Sequence, residues 1–286
     1  MWKRKLCIAA SDQFDAPIGH QLELFSQTGF DGFFTMFDRD TDIKKIREKA
    51  DSLGLFYQSL HAPFVRADRF WKKMPDSDDA VSELIECLET CAENEIPIMV
   101  AHAFIGFNDH DPTEYGIENF GKLVKRAEEL GVKIAFENTE GEEYLFALFE
   151  NFIGSGAVGF CFDTGHELCY NHGKDMPALV GSKLVATHLN DNLGIRDYGG
   201  KITFLDDLHL LPFDGIADWE NITDRLIRGR FDGPLTFELN KKSKPGRHDN
   251  DKYDHMPLEE YLAEAYSRAC RVASMLERKS KCTQTA

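Results

Sequence analysis

The sequence predicts a single α/β domain, a closed (β/α)8 TIM barrel, on three observations. Eight short apolar runs recur along the 286 residues, and most are separated by segments of helical periodicity with no linker between units. Several runs are almost wholly apolar, as parallel strands covered on both faces require. No Gly-rich phosphate turn follows the first run, where Ala9-Ala10-Ser11-Asp12-Gln13 stands, and this disfavours an open doubly wound sheet. The barrel is assigned to residues 1–280 and a short C-terminal tail to 281–286.

In chain order, the first strand is Lys5 to Ala10, ended by polar Ser11 and Asp12. Gly32 to Phe37 is the second, followed by an amphipathic helix from Ile43 to Leu53 that Gly54 stops. Phe56 to His61 and the helix Ala80 to Ala92 form the third unit. Ile98 to Ala103 leads to the helix Ile117 to Leu130, stopped by Gly131, and Lys133 to Asn138 leads to Tyr144 to Phe152. Val158 to Asp163, Leu184 to Leu189 and Leu235 to Leu239 complete the strands, the last entered through Phe231-Asp232-Gly233, and Leu258 to Leu276 is the final helix. Three connections exceed what a simple join needs: Ala62 to Pro75, Asn190 to Asp218 and the Lys-rich Asn240 to Pro257. Long loops on one face form lids and binding walls.

Composition narrows the function. A hydrophobic content of 42% supports a substantial core, while a formal charge of -16 repels phosphate backbones and argues against a nucleic-acid partner. Seven cysteines without a CxxC pair suit reduced thiols in the cytoplasm. The apolar run from Leu6 to Ala10 is too short for a signal peptide, and no stretch is long enough to span a membrane. Homo-oligomerisation stays open, because helix surfaces alone do not reveal which apolar positions remain uncovered.

Nine polar residues stand at or just past the ends of the strand-like runs or in the loops that follow them: His61, His102, Glu137, Asp163, His166, His188, Asp207, His209 and Glu238. In a parallel barrel these converge on one rim, where imidazole and carboxylate make a divalent-metal site. Singly, His61 and His102 are equally well explained as histidines satisfied by backbone carbonyls. Glu137, directly after Ala135-Phe136, is not, since an unpaired buried carboxylate is costly and calls for a cation. Asp163 and His166 form an Asp-x-x-His pair in which Gly165 is expected to turn the chain back toward the centre. Glu137, Asp163, His188 and Glu238 suit Zn, Mn, Mg or Co, and ligand type alone does not choose among them.

The ordered set Leu60-His61-Ala62-Pro63, Phe136-Glu137-Asn138, Phe162-Asp163-Thr164-Gly165-His166, Thr187-His188-Leu189-Asn190-Asp191 and Phe237-Glu238 resembles the xylose isomerase-like barrel superfamily over nearly the whole chain. That superfamily holds sugar isomerases and epimerases as well as endonuclease IV. The resemblance implies a metal-dependent isomerase or epimerase of a sugar, sugar phosphate or related polyol ketone, working through a metal-stabilised enediolate. It implies a metal on Glu137, Asp163, His188 and Glu238, with Glu137 and Glu238 as the acid/base pair. His166 and Glu143 match substrate contacts, and Arg196 is the nearest counterpart of an arginine after the seventh strand. Phe14, Phe64 or Trp71 is expected to stack on the sugar. The endonuclease IV pattern is matched too, with His61, His102, Asp207 and His209 completing nine ligands for three zinc ions, so a multi-zinc phosphodiesterase is the alternative. A non-catalytic sugar- or metal-binding barrel is the third. The segment His209-Leu210-Leu211-Pro212-Phe213-Asp214-Gly215 resembles the isomerase branch.

Overall fold

The computed structural model describes residues 2–284 apart from 109–110, 182 and 196–200. Strands β1 (Leu6–Ala9), β2 (Gly32–Met36), β3 (Phe56–His61), β4 (Ile98–His102), β5 (Lys133–Glu137), β6 (Val158–Asp163), β7 (Leu184–His188) and β8 (Leu235–Phe237) are parallel, each beside its neighbour in sequence. β8 also pairs with β1, with Leu6 opposite Leu235 and Ile8 opposite Phe237. Between β7 and β8, the Leu189 N–H donates to Thr236 O at 2.8 Å and the Glu238 N–H to Leu189 O at 3.3 Å. The single-domain barrel expected from the eight runs is therefore present.

Helices α1 (Ile18–Thr28), α2 (Ile43–Leu53), α3 (Ser77–Glu93), α4 (Glu114–Leu130), α5 (Glu142–Phe152), α6 (Thr164–Cys169), α7 (Met176–Val180), α8 (Trp219–Arg228), α9 (Asp251–Asp254) and α10 (Leu258–Gln284) fill the connections. Several begin before their apolar periodicity does, because first turns are polar and set by caps. At α4 the Thr113 hydroxyl accepts the Gly116 N–H. Among the described residues no helix is long and apolar enough to cross a membrane.

Most of the core lies between strands and helices. Ile98, Val100, Ala135, Cys161 and Ala186 form a separate small cluster inside the barrel. Strand side chains alternate between faces, so these positions share a face with residues two further on: His102, Glu137, Asp163 and His188. The polar tips are thus the top layer of the barrel interior, resting on small side chains beneath. Two of the aromatics expected to stack on a sugar belong to the packing instead. Phe14 is buried against Phe25 and Tyr261, and Trp71 lies under α4 with its indole N–H donated to Ala103 O at 2.7 Å.

The loop after β7 is anchored by the buried Asp191. Its carboxylate accepts the N–H groups of Asn192, Phe213 and Ala217, each at 2.9 Å, and the Trp219 indole N–H at 3.0 Å. An antiparallel bridge between Asp191 and Leu210 brings the returning chain back to the rim.

Candidate metal centre and active site

Glu137 is the hub. Its Oε2 lies 3.2 Å from Nε2 of His61 and 3.2 Å from Nε2 of His102, and its Oε1 lies 2.8 Å from Nδ1 of His188. Glu238 Oε2 reaches the same His188 nitrogen at 3.1 Å. Glu137, Asp163, His188 and Glu238 form one donor group whose facing atoms all lie within 4.8 Å of one another. Three further groups meet the same condition: His61 with His102 and Glu137, His166 with Asp207 and His209, and Glu137 with His188 and Cys161.

Local sequence explains the placement. Asn138 extends the β5–β6 ladder with its side chain, accepting the Asp163 N–H and donating to Asp163 O, both at 2.8 Å. Thr164 does the same toward β7, its hydroxyl accepting the Asn190 N–H at 2.9 Å and donating to Asn190 O at 2.6 Å. Asp163 caps α6 by accepting the His166 N–H at 2.7 Å, and its other oxygen accepts from Asn190 Nδ2 at 2.8 Å. Gly165 is not the turning point the sequence suggests. It is helical, and a Cβ there would sit 1.9 Å from Asn190 Oδ1, so it is required for close approach. His209 holds a positive φ of 49°, uncommon for a non-glycine residue.

The donor set fits a divalent cation. His61 Nδ1 lies 2.8 Å from Ala62 O and His209 Nδ1 lies 3.3 Å from Glu238 O, and a carbonyl can only accept. Each ring therefore keeps a proton on Nδ1 and points Nε2 at a carboxylate, where a metal would take the place of the Nε2 proton. Nδ1 of His166 has no hydrogen-bond partner among the described residues although it lies 3.6 Å from Glu137 Oε1. Two buried carboxylates, Glu137 and Asp163, and the half-buried Glu238 facing one point are mutually repulsive without a cation among them.

The protein's own charges already bias the groups. Burial alone would raise Glu137, but the charge of His188 and hydrogen bonds from His102, His188 and His61 overcome it and hold the carboxyl well below its usual range. Glu238 is likewise taken down to about 2, with burial opposed by His188 and His209. Asp163 goes the other way, to about 6, because burial and the charges of Glu137 and Glu238 outweigh His166 and His209. His209, opposed by burial, is raised to about 9 by Asp207 and Glu238. Beneath them, burial pushes the Cys161 thiol up to about 12, so it stays a neutral core group.

The groups open into a cavity of about 460 Å³ lined in part by Phe64, Glu140, Tyr170 and Lys244. Phe64 stacks on His102 with ring centroids 4.6 Å apart, the only one of the three expected aromatics to reach the cavity. Glu143 lines an adjoining cavity, whereas Glu140, which the sequence did not single out, lines both. Arg196 lies outside the described residues. Phe34, also missed, stacks on His188 at 4.6 Å and 12°. Lys244 places its ammonium 3.4 Å from Asp207 Oδ2, within the third donor group.

The family described as xylose isomerase-like TIM barrel matches residues 22–266. An uncharacterized protein, y4fM, of Sinorhizobium fredii is 27% identical over 272 residues, covering 79% of this chain and 82% of its own. A crystal structure of D-psicose 3-epimerase with D-tagatose, from Clostridium cellulolyticum H10, has a TM-score of 0.70 at 16% identity and covers 94% of this chain and 99% of its own. The IolI protein with a binding zinc atom has a TM-score of 0.72 at 18% identity, covering 94% and 98%. At such identities the likeness to solved structures establishes the fold.

Proposed function

The chain belongs to the xylose isomerase-like TIM barrel family, and from that premise we propose that it is a divalent-metal-dependent isomerase or epimerase of a sugar, sugar phosphate or related polyol ketone. The observation that carries the reading is the convergence of two carboxylates, Glu137 and Glu238, on His188 Nδ1 at one cavity floor. Moving a proton on or off carbon at either face of a substrate needs two such groups held on opposite sides. A divalent ion held by Glu137, Asp163, His188 and Glu238 supplies Lewis-acid polarisation of a carbonyl and its neighbouring hydroxyl. One glutamate removes the carbon-bound proton and the other returns one. His166 and Lys244 offer N–H donors to substrate oxygens, and burial of the rim excludes water. The carboxylate-rich set accepts Zn, Mn, Mg or Co. The sugar named with the epimerase neighbour and the zinc of IolI support this choice.

The test is incubation of the metal-loaded protein with a panel of ketoses and their phosphates in D2O. Deuterium should enter at carbon as products interconvert, and Glu137→Gln and Glu238→Gln should each lower the rate by about 100- to 10,000-fold. Absence of both exchange and interconversion across the panel would refute the reading.

A multi-zinc phosphodiesterase is the second reading, supported by the three cysteine-free donor groups around one cavity, two of them sharing Glu137. The Lys244 ammonium beside Asp207 weighs against it, because it already supplies a cation to the third group. About three zinc ions per chain, with cleavage of an abasic-site oligonucleotide, would decide for it.

A further inference from the structure

A second cavity of about 640 Å³ adjoins the first, and Phe107, Glu140, Tyr170 and Phe204 line both. Phe107 and Phe204 are the only phenylalanines exposed among the described residues, at 37% and 60%, in a chain with 22 phenylalanines. Single exposed apolar residues need no explanation, but two large rings on the wall of one concavity form a surface that a ligand would cover. The aromatic lining is continuous with the inner site. His166 and Tyr170 have ring centroids 5.0 Å apart, and Tyr170 and Phe107 are 5.9 Å apart.

The polar part of this wall is also built for hydroxyl groups. Glu140 stands at the junction, with Oε1 accepting the Gly106 N–H at 2.9 Å and acceptor capacity left over. Glu142, at the start of α5, is paired with Lys174 beside the rings. Each cavity falls within the ~300–1,000 Å³ of a small-molecule site, so one sugar ring over the metal donors leaves the outer space unfilled.

We propose that the outer cavity is a subsite for a second sugar ring, and that the substrate is a two-ring glycoside. Its reacting ring lies over the donor group and its glycosidic neighbour places an apolar face on Phe204 and Phe107. The inference rests on the sugar reading of the inner site only for the identity of the first ring. The charged groups beside the aromatics favour a hydroxylated ring over a bare aryl substituent.

Calorimetric titration of the zinc-loaded protein with glucose, cellobiose, maltose and phenyl β-glucoside tests this without turnover. At least one disaccharide should bind tenfold or more tightly than glucose. Phe204→Ala and Phe107→Ala, both at exposed positions, should bring that ratio toward one by weakening disaccharide binding more than glucose binding. Equal affinities throughout would overturn the proposal, as would a preference that survives both substitutions, or one confined to phenyl β-glucoside. A disaccharide preference in a protein that isomerises nothing would sink the activity and keep the subsite. An active ketose isomerase with a ratio of one would do the reverse.

Discussion

Removing the metal should change how stability depends on pH, and Asp163 sets the sign. Its folded-state carboxyl is raised from 3.8 to about 6 by burial and by the charges of Glu137 and Glu238. A group raised in this way contributes stability below its unfolded value and loses it as pH rises through the folded one. In the metal-free protein this loss falls between about pH 4 and 6 and amounts to about 3 kcal/mol. His209, raised from 6.5 to about 9, extends a loss of the same sign from about pH 6.5 to 9. Glu137 and Glu238 are depressed, so their contribution disappears only in stronger acid. A bound ion competes with protons for the same carboxylates and imidazoles, so the loaded protein should gain rather than lose stability over that range. Thermal unfolding at pH 5, 7 and 8.5, with chelator or with saturating zinc or manganese, reads the difference. The melting temperatures should diverge with rising pH, by about 2–3 °C for the part of the Asp163 contribution lost above pH 5. Parallel profiles, or a gap that narrows toward pH 8.5, would refute the assignment of Asp163 to the metal group.

Three other outcomes are expected. Lys244→Met removes the ammonium from the His166, Asp207 and His209 group and should raise zinc stoichiometry, read by elemental analysis of dialysed protein. Gly116→Ala would place Cβ 2.0 Å from Trp71 Cε3 and should cost about 1–3 kcal/mol, with a shift in tryptophan emission. Asp214, held below its usual range despite burial by Lys252, Tyr253 and Arg268, ties the loop after β7 to α10. Asp214→Asn should cost about 2 kcal/mol at pH 7 and progressively less as pH falls below the ordinary carboxylate value of 3.8.

The rim was legible because charge and strand register coincide there. In Ala135-Phe136-Glu137-Asn138 a carboxylate follows an apolar strand at an inward position, and the same pattern recurs at Asp163, His188 and Glu238. What the sequence did not expose depends on contacts between distant segments. Nothing local to Asn138 announces that its amide substitutes for a ladder hydrogen bond, nor that Gly165 makes room for Asn190. Glu143 and Glu140 are near neighbours in sequence, and only the start of α5 decides which one reaches the inner cavity. Phe14, Phe64 and Trp71 differ in burial by which surfaces fold over them, which composition does not carry.

The anchoring of the loop at Asp191 separates two tasks within one segment. The carboxylate and the bridge to Leu210 clamp the ends of the loop, so His209 stands directly beside a fixed point. Doubling the length of a flexible loop costs only about 0.6 kcal/mol, so insertions there are thermodynamically cheap. Phe204 and Lys201 belong to that stretch and line the outer cavity. Positions of that stretch on the outer wall, such as Lys201, are therefore the natural place to randomise residues when redirecting this barrel to new substrates.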